Sequence, residues 1–205
     1  MTLTEFETLE VNSSPESGIE SYKNEVKHDF WVCLISREAS LLARKEVLNG
    51  RAKFGILGDG KEVPQVAMAR AFRKGDWRSG YYRDQTFMFA RGLSTVEAYF
   101  SQLYADTEND PFSAGRQMNS HYATRTIDEN GEWLDQTDLY NVSSDVSCTA
   151  GQMARSLGIA MASKLYRELD IPSCSKFSDN GNEVSFVTIG DASTSEGIFW
   201  ETVNA

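Results

Sequence analysis

The sequence predicts an α/β chain built on an open, mainly parallel sheet flanked by helices. Three observations carry that expectation. Residues 183–189, EVSFVTI, form a short, β-rich and nearly continuous apolar run, as a buried parallel strand does. Gly190-Asp191 and a Ser193-Thr194-Ser195-Glu196 capping pattern follow at once, which reads as a strand-to-helix turn. Elsewhere apolar residues recur every three or four positions, and a single strand needs partners.

Taken in order, residues 1–24 are polar and acidic, broken by Ser13-Ser14-Pro15 and Ser17-Gly18, and read as a flexible arm. From residue 25 to 48, Val26, Phe30, Leu34, Leu41 and Leu42 mark an amphipathic helix that Asn49-Gly50 closes. A turn at Gly58-Asp59-Gly60 leads to a short helix over about 62–73, stopped by Gly75-Asp76. Ser94-Thr95-Val96-Glu97 has capping-box spacing and should open a helix running to Tyr104. Residues 105–147 show little periodicity, and a loop of that length is usually functional or disordered. Helical spacing returns over 149–168, a polar linker covers 174–182, and the last helix should begin near Thr194. Residues 25–205 read as one domain.

With 20 basic and 30 acidic residues in 205, the net charge is −10, which disfavours nucleic acid or an anionic membrane as the main partner. A bound anion must therefore meet local arginines or backbone amides. The acidic start lacks the pattern of a secretory or transit leader, and no apolar run spans a bilayer. Three widely spaced cysteines without a CxxC pair read as reduced thiols of a cytoplasmic protein.

Three stretches are candidates for chemistry. At the carboxyl end of the predicted strand, Gly190 would admit a ligand to the backbone, Asp191 offers a hard oxygen for Mg²⁺, and the following helix start favours phosphate; a plain turn is the competing reading. In RKGDWRSGYYRDQ, Arg83 beside Tyr82 is suited to phosphate, although taken alone a surface salt bridge with Asp84 or a neighbour is the better reading. In GRQMNSHY, His121 lies near Arg116 and Arg125, so proton transfer or anion binding competes with simple exposure. There is no GxGxxG, no phosphate loop of the GxxxxGK[ST] type, no HExxH and no zinc-ligand spacing.

The order of the segments GDGKEVPQVAMARAFRKGDWRSGYYRDQ, GRQMNSHY, NVSSDVSCTAGQMARSLGIAMASKLYR and VTIGDASTSEGIFWETVN resembles the α part of thiamine-diphosphate-dependent 2-oxo acid dehydrogenases, over about residues 28–205. GRQM and the His-Tyr pair are closer to the branched-chain (2-oxoisovalerate) type than to the pyruvate type. The resemblance implies a thiamine-diphosphate-binding fold, incomplete in this chain, because a second metal ligand, an asparagine, would fall beyond Ala205. The chain is therefore expected to be a fragment.

The resemblance further implies that Tyr82 and Arg83 contact the cofactor diphosphate, and that Gly190, Asp191 and Ala192 form the metal and diphosphate turn with Asp191 on Mg²⁺. Ala192 stands where the family usually has a third glycine. His121 falls on a catalytic-approach histidine, which either binds the substrate carboxylate or orders a loop. Ser144 resembles a cofactor-contacting serine, with Ser-Ser-Asp here where the family has Ser-Ser-Pro. The implied partners are a β part that supplies the glutamate activating the aminopyrimidine, and a lipoyl-bearing acyltransferase that takes the acyl group after decarboxylation of a 2-oxo acid. An oligomer follows, and the isolated chain is expected to be inactive. A transketolase-like enzyme and a non-catalytic assembly or regulatory domain are the alternatives. The first would share the Gly-Asp turn but not the Tyr-Arg and GRQM segments in this order.

Overall fold

The computed structural model describes residues 15–169 and 171–205. Its elements are α1 (Pro15–Leu48), α2 (Glu62–Ala71), β1 (Trp77–Ser79), α3 (Gln85–Ala90), α4 (Val96–Leu103), β2 (Asn141–Val142), α5 (Gly151–Glu168), β3 (Ser185–Val187) and α6 (Gly197–Asn204). The three strands form one parallel sheet in the order β2-β1-β3, with Arg78 opposite both Val142 and Phe186. The predicted α/β class, with helices on an open parallel sheet, is therefore present.

On one side of the sheet, Phe72 at the end of α2 meets Phe87 of α3 edge-on at 5.1 Å and Phe186 of β3 at 5.4 Å. Ala69, Met88, Tyr122 and Val142 complete that cluster. On the other side α5 packs on β1 and β3, where Ser156 and Ser185 hydroxyls pair at 2.9 Å. A second core lies among the helices, with Val32, Ala39 and Ala43 of α1 against Val66, Phe89, Tyr99 and Leu103.

Several expectations need correction. Residues 15–24 are helical, so α1 starts ten residues before the predicted boundary; the rest of the predicted arm, 1–14, lies outside the described residues. Pro15 suits the first turn of a helix, where its missing N–H costs nothing. The strand expected over 183–189 is ordered as strand only over 185–187, and it is one of the two outer strands of the described sheet, with Val187 37% exposed. Ser94 does not cap α4. Thr95 does, its hydroxyl accepting from Ala98 N at 3.1 Å, one residue out of register with the Ser94–Glu97 pattern. Ser193 likewise opens no α-helix: a 3-10 turn covers Asp191–Ser195 and α6 begins at Gly197.

The stretch 105–147 contributes β2 and an internal scaffold rather than a featureless loop. The Asn119 side-chain amide pairs with the backbone of Ile56 in both directions, at 3.1 and 3.0 Å. Gln102 of α4 does the same for His121, accepting from its N at 3.1 Å and donating to its O at 2.7 Å. No described helix is long and apolar enough to cross a membrane.

Candidate functional site

Because all three strands are parallel, their carboxyl ends release three segments at one end of the sheet: Gly80–Asp84 after β1, Ser143–Ser147 after β2 and Thr188–Asp191 after β3. Open α/β sheets bind ligands at this end. What ties the segments together is a buried ion cluster that the sequence reading passed over. Arg78, in the middle strand, is fully buried. It donates through Nη2 and Nε to Asp84 at 2.8 and 3.2 Å, and through Nη1 to both oxygens of Asp145 at 3.3 Å. Burial opposes its charge, but the carboxylates of Asp145 and Asp84 more than restore it and hold the guanidinium above its usual value. Asp84 also accepts from Tyr81 N at 3.1 Å and from the Thr188 hydroxyl, and Asp145 accepts from Tyr122 N at 3.0 Å. One cation thus fastens the segments after β1, β2 and β3.

Gly80 exists for the same reason. A Cβ there would stand 1.7 Å from Arg78 Cζ, inside the guanidinium itself. Gly58 is similar: a Cβ would come within 2.5 Å of the Arg83 carbonyl, so the Gly-Asp-Gly turn supports the Tyr81–Asp84 segment from behind.

Above the buried cluster stands a second arginine in different surroundings. Arg83 is half-buried and, among the described residues, forms no ion pair; the salt bridge expected with Asp84 is absent because Asp84 faces Arg78. Arg83 instead donates to Tyr81 Oη at 3.1 Å and lies over the rings of Tyr81 and Tyr82 at 5.6 and 5.5 Å. Tyr81 Oη in turn donates to Tyr82 Oη at 3.1 Å.

The same hydroxyl borders the turn after β3, because a Cβ on Gly190 would lie only 2.7 Å from it. Gly190 is therefore needed for the close approach of Tyr81. The Tyr81 hydroxyl is pushed up to about 12, first by burial and then by its bond to Tyr82; the negative charge of exposed Asp191 adds to the rise and Arg83 opposes it. Arg83 and the turn that begins at Gly190 therefore both border the Tyr81 hydroxyl.

The remaining candidates divide. His121 is buried, 3% exposed, and stacks on Tyr82 at 6.4 Å. Its Nδ1 lies 3.3 Å from the Asn119 carbonyl and its Nε2 lies 2.9 Å from Ser147 Oγ. A carbonyl only accepts, so Nδ1 donates to Asn119, while Nε2 pairs with the Ser147 hydroxyl. Both nitrogens are engaged, which makes His121 a residue that orders the segment after β2. Ser144 is exposed and at the same end of the sheet, but what holds it is its carbonyl, bound by Arg155; no recorded hydrogen bond joins its hydroxyl to Tyr82, Arg83 or Asp191. Ala192 is exposed in the 3-10 turn, where the Thr194 hydroxyl closes on the Asp191 carbonyl at 2.7 Å.

The family described as dehydrogenase E1 component matches residues 33–205. The chain is 30% identical over 172 residues to the 2-oxoisovalerate dehydrogenase subunit alpha of Bacillus subtilis (strain 168), covering 80% of this chain and 44% of that protein. It is 26% identical over 198 residues to the pyruvate dehydrogenase E1 component subunit alpha of Acholeplasma laidlawii, covering 97% of this chain and 44% of that one. The chain thus spans rather less than half the length of these relatives. The match along nearly all of the described fold, through both the Tyr81–Asp84 segment and the turn at Asp191, places the chain in the dehydrogenase E1 component family.

Proposed function

We propose that this chain supplies the diphosphate-holding part of a thiamine-diphosphate-dependent 2-oxo acid dehydrogenase, within the α part of its E1 component. The observation that carries the reading is the arrangement of Arg83: a cation without a carboxylate partner among the described residues, braced by two tyrosine rings, at the carboxyl end of a parallel sheet and bonded to the hydroxyl that borders the Gly190-Asp191 turn. Such an arginine is left with donors for a phosphate oxygen.

The fit to the cofactor can be tested on the residues present. Among the described residues no group of three or more His, Cys, Asp or Glu could hold a metal ion. A site with one carboxylate nonetheless suits Mg²⁺, which commonly takes one or two protein carboxylates together with phosphate oxygens and water. Asp191 would be that carboxylate. Arg83 and Tyr82 would receive the diphosphate, and the buried cation at Arg78 would hold their segment at a fixed height above the sheet. Bound thiamine diphosphate supplies the electron sink for decarboxylation of a 2-oxo acid. Ala192, with its methyl group exposed at the turn, is compatible with a diphosphate approaching from solvent. His121 contributes order to the Ser143–Ser147 segment through Ser147.

A branched-chain 2-oxo acid is the substrate we favour, on the GRQM and His-Tyr segments and the similarity to a 2-oxoisovalerate dehydrogenase subunit. A β part, fused or separate, would bring the residues this chain lacks, and a lipoyl-bearing acyltransferase would accept the acyl group. The test is calorimetric titration of the 205-residue chain with Mg²⁺ and thiamine diphosphate. Weak binding that disappears in both Arg83→Gln and Asp191→Ala is expected. Identical heats for the chain and both variants would overturn the reading.

A further inference from the structure

Helix α1 carries a surface that the described fold leaves uncovered. Its buried side is made by Val32, Ser36, Ala39 and Ala43. Ile19, Val26, Phe30, Leu34, Leu41 and Leu48 are between 40% and 79% exposed. At 3.6 residues per turn these six fall within about a quarter of the helix circumference, on the far side from the buried residues, along about 44 Å. Beside α2 the stripe deepens into a groove of about 660 Å³ that Val26, Phe30, Leu34 and exposed Val63 help to line. The charges in its lining are paired with one another, Arg37 with Glu62 at 2.6 Å and Arg70 with Asp29 at 2.8 Å. The groove therefore calls for an apolar cover.

The order of residues along α1 says what that cover is. Ile19, Val26 and Phe30 stand nearly as far before Cys33 as Leu48, Leu41 and Leu34 stand after it. The stripe is thus close to a palindrome, and a second α1 laid antiparallel would set apolar residues on apolar residues. The charges on one flank obey the same symmetry. Glu20, Lys27, Glu38 and Lys45 are all exposed and lie within about 20° of one another around the helix. Lys27 and Glu38 are almost equidistant from Cys33, as are Glu20 and Lys45, and the charges in each pair are opposite. Among the described residues Lys27, Glu38 and Lys45 form no ion pair, and Glu20 meets only Lys23, at 3.5 Å. Helices related by a two-fold axis in antiparallel fashion meet along the same flank, so these charges would complement each other; a parallel pair would set Lys27 on Lys27. Over 19–34 the helix has three carboxylates and two lysines, and over 37–48 three cations and two carboxylates, so the antiparallel arrangement matches the two halves as well.

The area suffices. The six stripe residues and Val63 offer on the order of 100 Å² each, together about 700 Å² of apolar surface. That exceeds the roughly 300–600 Å² of a monomer's largest patch and approaches the ~800 Å² that each partner brings to a standard interface.

We infer that two copies of this chain pair antiparallel through α1, about a two-fold axis near Cys33. Ile19 then faces the partner's Leu48, Val26 the partner's Leu41, and Phe30 packs beside the partner's Leu34 at the groove against α2. Lys27 meets the partner's Glu38, and Glu20 meets the partner's Lys45. Each contact occurs twice, and the pair closes on itself. None of these residues belongs to the diphosphate site.

Sedimentation velocity of the 205-residue chain should show a dimer that dissociates on dilution. Phe30→Asp should weaken it by about 100-fold or more, since the change acts twice at the centre of the contact. Lys27→Glu and Glu38→Lys should each weaken it by about tenfold. An equimolar mixture of those two variants should regain the parent's dimer, because the reversed charges then face each other. Added salt should shrink both losses. The mixing arm decides the matter even where Phe30→Asp loosens the helix, since both charged positions are exposed. A chain that stays monomeric at about 100 μM would overturn the inference and leave the groove to a β part. So would a dimer indifferent to Phe30→Asp, or a mixture that dimerises no better than either variant alone.

Discussion

Arg78 and Arg83 are five residues apart and are used in opposite ways. Arg78 lies inside the sheet with every donor directed at Asp84, Asp145 or the Tyr81 carbonyl. Arg83 lies outside it, braced by aromatic faces and by a single hydroxyl. A buried guanidinium satisfied by carboxylates builds a scaffold, because removing either partner strands a charge in low dielectric. A guanidinium that rings hold in place, while its charge stays unneutralised, is available to an incoming anion. The difference teaches that the charge visible to a ligand here depends on a charge that no ligand can see.

The largest effect should come from breaking the buried member. Arg78→Met leaves Asp84 and Asp145 without their shared cation, and loss of one partner of a buried pair typically costs about 3–5 kcal/mol. For a chain of this size that corresponds to a melting temperature lower by roughly 10 °C. Gly80→Ala should behave similarly, since its Cβ would coincide with the guanidinium. If either variant melts with the parent in a calorimetric scan, the cluster is not the fastening described above.

Breaking the exposed member should do the reverse. Arg83→Gln removes no ion pair, only the bond to Tyr81 and the ring contacts, so stability should fall by about 1 kcal/mol, well short of Arg78→Met. Affinity for Mg-thiamine diphosphate should fall by about 10- to 100-fold, as expected for one charge-assisted contact. A stability loss as large as that of Arg78→Met would erase the distinction between the two arginines.

The comparison also explains what the sequence could and could not disclose. Arg83 was legible because its neighbours Tyr82 and Asp84 form a recognisable segment, and Asp191 because a strong apolar strand leads to it. Arg78 was not. Trp77–Ser79 is three residues long and holds a charge, so neither length nor hydrophobicity marks it as the central strand of a sheet. Asn141–Val142 is shorter still. Both strands gain their identity from pairing with β3, a long-range contact that local pattern does not encode. Tyr81 was missed for a related reason: its hydroxyl matters only because Gly190, distant in sequence, has no side chain to exclude it. Conversely, β3 read as buried because its apolar run is continuous, whereas its place as an outer strand of the described sheet is a fact of topology alone.

Tyr81 joins the two arginines' neighbourhoods, and Tyr81→Phe tests the joint. Its loss removes the acceptor for Arg83 and the donor to Tyr82, at a cost of about 0.5–1.5 kcal/mol for bonds of this kind. Diphosphate affinity should weaken less than in Arg83→Gln, because the ring that carries the cation remains. An equal or greater loss would mean that the Tyr81 hydroxyl itself meets the ligand.

The finest distinction is in pH. Two carboxylates share the single cation of Arg78, and Asp145 carries the consequence: burial raises its pKa, Arg78 pulls it back, and Asp84's charge raises it again, with a net rise above 3.8. A carboxyl whose folded value lies above its unfolded value binds its proton more tightly when folded. Its contribution to stability is therefore fully present below the ordinary carboxylate range and is lost as pH rises through the elevated value. Asp145→Asn cannot titrate, while the other carboxyls remain common to both proteins. In urea melts the parent's advantage over Asp145→Asn should accordingly be greatest near the ordinary carboxylate value and shrink toward neutrality. An advantage that grows as pH rises would show that Arg78 outweighs burial at Asp145, and that the second carboxylate is as well satisfied as the first.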